Sequence, residues 1–263
     1  MGLRAELFWI DFAQVLTQGL WFHESNLMSL PHVNTLNQKD FQLGKKGKTH
    51  ALRDNYSLDK LESKFGKQKL ADIKEAVKVF PNLEVIATAF VEGENEIMEG
   101  DVLTVKITIT RNYLSENEEA GFVHSNTFPF LKYEKLWVFI GDVNRNIVFY
   151  VTKLQEPYRV LEDSTFKYPL GLPPFGIKAG THNWDIIVKS DSYYDEDITC
   201  PLSFTVLPAG AVKREVFVHP EDEALDNQAN WVQKALLGEN EETESSDEDD
   251  IPDLEEVEKE TTS

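Results

Sequence analysis

The side chains of this chain that could do chemistry are mostly carboxylates, and one concentration of them is internal. Residues 190–197, Ser-Asp-Ser-Tyr-Tyr-Asp-Glu-Asp, hold four acidic side chains in eight positions. Carboxylate oxygens are ligands that Ca²⁺ prefers, although this spacing differs from that of an EF-hand loop. The alternative that we favour is a solvated loop between two strands, with Tyr193 or Tyr194 packed at the end of a β-sandwich.

The second concentration of carboxylates is the C-terminal tail, residues 239–263, which holds thirteen acidic residues and one lysine. Its net charge of −12 leaves −8 for the other 238 residues. Such a segment, with few apolar side chains, is expected to be disordered. Glu248 and Asp249 follow Ser245 and Ser246 by three positions, a pattern that acid-directed kinases accept, and each phosphate would add about −1.5 to −2 charge. The tail either attracts a basic partner segment or only keeps the chain soluble.

Local motifs for catalysis or metal binding do not emerge from the sequence. The six histidines are scattered, and none forms an HExxH pattern. We find no GxSxG or GxGxxG motif, and Cys200 is the only cysteine, so neither an internal disulfide nor a CxxC zinc site is possible. The sequence therefore predicts a chain that is not an enzyme and takes no cofactor, metal or small-molecule substrate.

The charge and hydropathy of the chain also indicate which classes of partner it binds. The acidic body repels phosphate backbones and anionic headgroups, which disfavours nucleic acid and lipid surfaces and favours basic protein partners. No run of about 18 apolar residues is present, so we predict no membrane span in this chain. The N-terminus does not match a signal peptide, because charged residues interrupt any apolar stretch.

The first part of the chain, residues 1–80, is predicted to be helical. Residues 3–23 are predicted to form a helix, with apolar side chains that recur at helical spacing and spread beyond one stripe. That breadth indicates a helix packed in the core, or alternatively one that docks on a partner, and we favour the core. A second helical region, residues 57–79, is predicted in two pieces broken at Gly66. Leu58, Leu61 and Phe65 are predicted to form the apolar face of the first piece, and Leu70, Ile73 and Val77 that of the second.

The pattern then changes to short strands, which we assign to residues 81–208. Leu103, Val105, Ile107 and Ile109 alternate with polar residues, as in a half-buried strand. The apolar run 136–140 is typical of a central strand, and 147–151 follows it as a hairpin. Roughly seven strands, with acidic residues 112–135 as a surface loop, favour an immunoglobulin-like or fibronectin type III-like antiparallel sandwich. The fold class is thus α+β, with a linker and short helix at 209–238 and the disordered tail at 239–263.

Several motifs in this order resemble a known family. They are Leu30-Pro31-His32, the Phe80–Val85 entry to the first strand, the WVFIGD segment 137–142, the acidic segment 190–197 and a lone Trp231 before the tail. Together they resemble the Sec63 family, the J-protein subunit of the endoplasmic-reticulum translocon, in its cytosolic Brl-domain portion. The resemblance covers about residues 3–260. The same domain also occurs in a spliceosomal RNA helicase, which is the alternative.

The resemblance implies a docking module on the cytosolic face of the endoplasmic reticulum membrane. The sandwich would bind subunits of the translocation channel, and the acidic tail would bind a membrane subunit that has a basic cytosolic segment. Carried over to this sequence, the partner-binding residues are Glu239, Glu241, Glu242, Asp247, Glu248, Asp249, Asp250, Asp253, Glu255 and Glu256, and the candidate phosphorylation sites are Ser245 and Ser246. The sequence has no J domain and no HPD motif, so we expect either the cytosolic part of a longer protein or a partial gene model, and no stimulation of a chaperone ATPase.

Overall fold

The computed structural model describes residues 2–41, 48–53, 57–171 and 177–213. Eight strands make up its β part: β1 Leu83–Phe90, β2 Ile97–Met98, β3 Val102–Arg111, β4 Leu136–Asp142, β5 Ile147–Leu154, β6 Val160–Pro169, β7 Gly180–Ser190 and β8 Ile198–Leu207. The α-helices are α1 Leu3–Gln18, α2 Ser57–Lys60, α3 Glu62–Phe65 and α4 Lys67–Lys78. Three short 3-10 helices lie at Asn26–Ser29, Gln38–Asp40 and Thr49–Leu52. The fold is therefore mixed α and β, with few helices, in agreement with the predicted mixture of helices and strands.

The strands form two sheets that share one apolar core. One sheet has the order β1-β3-β6 and the other the order β2-β8-β7-β4-β5. Leu103, Val105, Ile107 and Ile109 of β3 are each at most 2% exposed and pack with Trp184 of the other sheet. The period-two pattern of β3 thus identifies the face that enters the core, as predicted.

One feature of the sheets was not predicted from the sequence. The stretch between β1 and β3 was assigned to a loop, but it contains β2, which pairs in parallel with the end of β8. Ile97 lies opposite Val206, and Met98 opposite Leu207. The sandwich is therefore antiparallel apart from this short pair, which covers the edge of β8. A two-residue strand is too short to have a period of its own, so sequence pattern could not reveal it.

The central position predicted for the apolar run 136–140 is confirmed, because β4 lies between β5 and β7. Leu136, Val138 and Ile140 point into the core between the sheets. Phe139 points the other way, where it packs against Leu3 of α1 and is 2% exposed. The run lacks alternation because both faces of β4 are covered, one by the second sheet and the other by α1.

The helices α2 to α4 enclose a second apolar core. The predicted break at Gly66 is confirmed, since its φ of +79° separates α3 from α4. Leu58, Leu61, Leu70 and Ile73 are each at most 6% exposed and lie in this core. The spacing of apolar residues in this region therefore predicted the buried face correctly.

Helix α1 differs from its prediction in length. It ends at Gln18 rather than at residue 23, because Gly19 adopts a left-handed φ of +65° and its N–H bonds back to the Leu16 carbonyl oxygen. The N–H of Leu20 bonds to the Val15 carbonyl oxygen at 2.9 Å, which completes a Schellman-type ending. Gly19 fits the apolar spacing of the helix, and that spacing concealed its role as a terminator.

The orientation of α1 also contradicts the prediction of core packing for its most apolar side. Phe8, Trp9 and Leu16 are 50%, 55% and 63% exposed, whereas Gln14 and Gln18 are at most 2% exposed. Only Leu3 and Val15 of its apolar residues are fully buried, with Leu7 and Ile10 partly buried against the sheet. The reason is that only the N-terminal half of α1 lies on apolar side chains of the sheet, whereas the surface under its C-terminal half is polar and is described next.

Candidate functional site

The acidic loop between β7 and β8, residues 190–197, lies where the sheet, α1 and the helical region meet. Ser190, Ser192 and Tyr193 are buried, and of the four acids only Asp195 is exposed. The other three acids each contact groups from distant parts of the chain. The loop therefore joins the parts of the fold, and each acid has its own set of partners.

Asp191 forms ion pairs with two lysines. Its Oδ1 lies 3.4 Å from Nζ of Lys132, and its Oδ2 lies 3.3 Å from Nζ of Lys153. It also accepts a hydrogen bond of 3.1 Å from the backbone N–H of Lys135. With 9% of its side chain exposed, Asp191 holds the start of β4 and the end of β5 together.

Glu196 connects the loop to the helical region. Its side chain is completely buried. Oε1 accepts hydrogen bonds from the backbone N–H of Thr49 at 2.7 Å and from Nδ2 of Asn26 at 3.1 Å. Oε2 lies 2.7 Å from Nδ1 of His50. One carboxylate thus fixes two short 3-10 helices that are about 150 residues away in sequence.

Asp197 takes part in a buried charge cluster beneath α1. Its Oδ2 contacts Nζ of Lys189, and that ammonium group also lies 2.6 Å from Oδ1 of Asp11 on α1. Burial opposes the charge of Lys189, but Asp197 and Asp11 outweigh it and raise the lysine pKa. Burial also raises the pKa of Asp197, against the opposing effect of Lys189. The cluster requires a polar underside on α1, which accounts for the orientation of the helix.

Two glutamines of α1 complete this polar contact. Nε2 of Gln14 donates to the Ser190 carbonyl oxygen at 2.6 Å, and Nε2 of Gln18 donates to the Ser192 carbonyl oxygen at 2.8 Å. Sequence reasoning missed both residues. The available signal was the spacing of the two glutamines, because residues four positions apart in a helix lie on one face.

These contacts contradict the solvated loop that we favoured from the sequence, since most of residues 190–197 are buried. The carboxylates of Asp191, Glu196 and Asp197 bind lysines, a histidine and backbone N–H groups. Across the residues that the structure describes, no group of three or more acidic, histidine or cysteine side chains is arranged to hold a metal ion, so the calcium interpretation gains no support.

Tyr193 extends from this loop into the core of the helical region. It is 1% exposed, and its ring centroid lies 4.7 Å from that of Phe80. Its hydroxyl accepts a hydrogen bond of 2.9 Å from the backbone N–H of His124. Burial raises the pKa of Tyr193 well above its ordinary value, so the hydroxyl stays protonated. The prediction that one tyrosine packs here is correct, but its neighbours belong to the helical core.

A second buried polar group lies under the connection between β3 and β4, residues 112–135. Arg111 is fully buried, and its Nη1 donates to the carbonyl oxygens of Tyr158 at 2.5 Å and Glu156 at 3.2 Å. Its Nε lies 3.9 Å from Oε2 of Glu134, which is 3% exposed. Burial raises the pKa of Glu134 to about 7, with Arg111 acting in the opposite direction.

The connection itself was predicted to be a surface loop, and this is only partly correct. Leu114 and Ala120 are buried. Oγ of Ser125 donates to the Thr17 carbonyl oxygen at 2.7 Å, and Nδ2 of Asn126 donates to the Leu30 carbonyl oxygen at 3.0 Å. The segment thus packs against the helical region, and its side chains donate to carbonyl groups near the ends of α1 and of the first 3-10 helix.

The histidines behave as ordinary structural residues where they are described. His32 pairs with Asp72 at 2.7 Å, and His182 lies 2.8 Å from the Lys178 carbonyl oxygen. Burial lowers the pKa of His124. His219 lies outside the described residues, as do the predicted partner-binding acids Glu239 to Glu256 and the candidate phosphorylation sites Ser245 and Ser246. Among the helices that the structure describes, none is long and apolar enough to cross a bilayer.

We call residues 190–197, together with the side chains that bind them, the polar clamp. Its carboxylates are bound to lysines, a histidine and backbone N–H groups in the interior, so they are not presented to a substrate. Its effect is to fix α1 and the helical region on the β-sandwich. The surfaces that remain available for binding are therefore held in a defined arrangement.

Comparison with known proteins gives a family match over most of the chain. A model described as the Sec63 Brl domain matches residues 3–203. "DnaJ protein ERDJ2B" of Arabidopsis thaliana is 31% identical over 141 residues, which is 49% of this chain and 20% of that protein.

Two helicases match a longer stretch at lower identity. "DExH-box ATP-dependent RNA helicase DExH12" of Arabidopsis thaliana is 24% identical over 216 residues, which is 81% of this chain and 10% of the helicase. "U5 small nuclear ribonucleoprotein 200 kDa helicase" of Homo sapiens is 25% identical over 188 residues, which is 70% of this chain and 8% of that protein. The matched region thus spans a fifth or less of the length of these relatives.

Proposed function

Because the chain belongs to the Sec63 Brl domain family, we propose that it is a non-enzymatic docking module of the endoplasmic-reticulum protein-translocation complex. It acts on the cytosolic face of that membrane and supports protein import. The observation that carries the proposal is the identity of 31% with a DnaJ protein, against 24% and 25% for the helicases. The strongly acidic tail is the second support, because it provides a site for a basic partner.

In this proposal the β-sandwich binds the channel, and its fold is of the fibronectin type III kind. The sheet orders β1-β3-β6 and β8-β7-β4-β5 support that assignment, since they divide seven strands between two sheets as in that class of sandwich. The short strand β2 adds to the second sheet. The polar clamp holds this sandwich and the helical region as one binding unit.

The tail binds a membrane subunit through a basic cytosolic segment. The acids proposed for this contact are Glu239, Glu241, Glu242, Asp247, Glu248, Asp249, Asp250, Asp253, Glu255 and Glu256. Phosphorylation of Ser245 and Ser246 would add about −1.5 to −2 charge at each serine and strengthen the attraction. Because the contact is electrostatic and exposed, its affinity falls steeply as salt rises.

The second candidate function is a protein-interaction module of a spliceosomal RNA helicase. The coverage of the helicase matches favours it, since they extend over 70% and 81% of this chain. In this case the module binds splicing proteins, and the acidic tail has no basic membrane partner.

A pull-down from detergent-solubilised microsomes and from nuclear extract separates these functions. The baits are the full chain, the chain ended after Gly238, and a full-length control in which the ten tail acids become their amides. We expect channel subunits with all three baits from microsomes, and a basic membrane subunit only with the full chain at low salt. Recovery of splicing proteins alone would overturn the translocon proposal in favour of the helicase module. Recovery of the channel but equal capture of the basic subunit by all three baits would overturn only the role of the tail.

A further inference from the structure

The outward side of α1 is apolar from Ala5 to Leu16, and the exposed Arg4 lies beside its N-terminal end. Ala5, Phe8, Trp9, Phe12, Ala13 and Leu16 are all exposed, and none of these side chains is polar. The inward side carries Leu3, Leu7 and Ile10 against the sheet, followed by the two glutamines of the polar clamp. A surface helix usually turns its most apolar side to the core, and α1 leaves much of that side exposed.

Two more aromatic residues enlarge this surface. The chain turns back after Gly19, so that the Phe22 ring stacks at 5.4 Å from Phe8 and lies 6.4 Å from Phe12. Trp21, its neighbour, is 71% exposed. We call the six α1 residues with Trp21 and Phe22 the α1 outer face. From the exposed fractions, it presents on the order of 500 Å² of apolar surface, a size at which patches on soluble proteins are often interaction sites.

The side chains of the α1 outer face form ridges and grooves that suit packing against another helix. Phe8, Phe12 and Leu16 are four residues apart and form one ridge, while Ala5, Trp9 and Ala13 form a parallel ridge. The two alanines are small, so the second ridge is low on either side of Trp9. Ridges and grooves of side chains spaced by four residues are the surfaces through which helices most often pack against each other.

The charged residues around the α1 outer face indicate which kind of helix would bind there. Glu6 lies in the first turn of α1 and is partly exposed, and Glu24 accepts a hydrogen bond of 2.8 Å from the backbone N–H of Trp21. Asp195 is exposed beside Tyr194, whose ring contacts Phe22 at 6.3 Å. Arg4 is the only basic residue in α1. These carboxylates favour a partner with basic residues beside its apolar stripe.

The same charges disfavour other occupants. An anionic lipid surface would be repelled by the carboxylates and by the acidic body. A second copy of the chain would bring together two polypeptides that each carry a net charge of −20, which opposes their association.

We propose that the α1 outer face is a docking site for an amphipathic helix of another polypeptide segment, with aliphatic side chains on one face and Lys or Arg at its borders. The site is separate from the tail and does not depend on the proposed translocon role. Its apolar ridges supply the affinity, and the surrounding carboxylates orient the bound helix.

The test uses the full chain and a labelled 18-residue Leu/Lys peptide designed as an amphipathic helix. Binding is followed by fluorescence anisotropy at a salt concentration that screens the tail. The tested variant is Trp9→Ser/Leu16→Ser, which leaves the net charge unchanged. The matched control is Leu36→Ser/Ile86→Ser, because these residues are 79% and 55% exposed elsewhere. A peptide of the same composition with scrambled order reports any binding to the tail.

We expect the Trp9→Ser/Leu16→Ser variant to weaken binding of the amphipathic peptide at least tenfold, and the control variant to leave it unchanged. Hydrogen exchange of the native chain should show added protection on α1 when the peptide is bound, which is informative even if a variant folds poorly. Equal binding of the scrambled peptide, or equal affinity of the tested variant, would overturn the proposal. So would concentration-dependent dimerisation or binding to phosphatidylserine vesicles that the variant abolishes, since either would identify a different occupant.

Discussion

We expect the stability of the native chain to fall between pH 5 and pH 8, and replacing Glu134 by glutamine should remove that fall. Burial raises the pKa of this carboxyl from 4.5 to about 7, although Arg111 lies 3.9 Å away and opposes the shift. The reason that Arg111 does not prevail is geometric. Its Nη1 donates to backbone carbonyl oxygens, while its Nε has no hydrogen-bond partner within the described residues and lies too far from Glu134 to donate to it.

The direction of the pH effect on stability follows from the pKa values of Glu134 in the folded and the unfolded chain. The folded chain keeps this proton up to about pH 7, whereas the unfolded chain releases it near pH 4.5. Glu134 therefore stabilises the fold at low pH, and this contribution is lost as the pH rises through 7. Each pKa unit between the states is worth about 1.4 kcal/mol, so the contribution falls by about 2–3 kcal/mol from pH 5 to pH 8.

The assay is urea unfolding followed by tryptophan fluorescence at pH 5, 6, 7 and 8. Glu134→Gln, whose amide resembles the protonated acid, should flatten the pH dependence and be more stable than the native chain at pH 8. Glu119→Gln makes the same chemical change at an exposed position and should leave the pH dependence as it is. If Glu134→Gln is the less stable protein at pH 8, Arg111 holds Glu134 ionised and the reasoning is refuted.

The remaining predictions concern the polar clamp and α1. Tyr193→Ala should lower the free energy of unfolding by about 3–5 kcal/mol and Tyr193→Phe by about 1 kcal/mol, measured by urea unfolding; similar losses would contradict the packing role of the ring. Glu196→Gln should cost about 1–3 kcal/mol and speed hydrogen exchange at the Thr49 amide, and unchanged exchange there would count against the contact. Gly141→Ala should cost about 1–3 kcal/mol, because its Cβ would meet the Ile147 carbonyl oxygen at 2.5 Å. A neutral result in thermal unfolding would show that the hairpin moves easily.

Local periodicity predicted the parts of the fold in which one pattern determines one environment. The alternation in β3 and the spacing of Leu58, Leu61 and Phe65 gave the correct buried faces, because each element has a single covered side. The run 136–140 gave the correct central strand for a different reason, because its unbroken apolar pattern reflects a strand that is covered on both sides.

The same reasoning was wrong where burial depends on residues far away in sequence. Nothing near α1 reveals that Lys189 and Asp197 lie beneath it, so its apolar side was assigned to the core. The acids of the loop at 190–197 looked solvated because their partners, such as His50 and Lys132, are about 60 to 150 residues away. Charge pairs of that range have no local signature, and only the tertiary structure brings them together. The tail acids and both serines stay predictions.

The position of Tyr193 and Glu196 has a consequence for how the chain folds as it leaves the ribosome. The helical region emerges first, but its core lacks Tyr193, and its short 3-10 helices lack the carboxylate of Glu196, until more than 100 further residues have been synthesised. Contacts so distant in sequence form slowly and close large loops. The nascent helical region therefore exposes an incomplete apolar core during translation, when it is most accessible to a chaperone. Synonymous changes that slow translation between residues 80 and 190 would lengthen that interval.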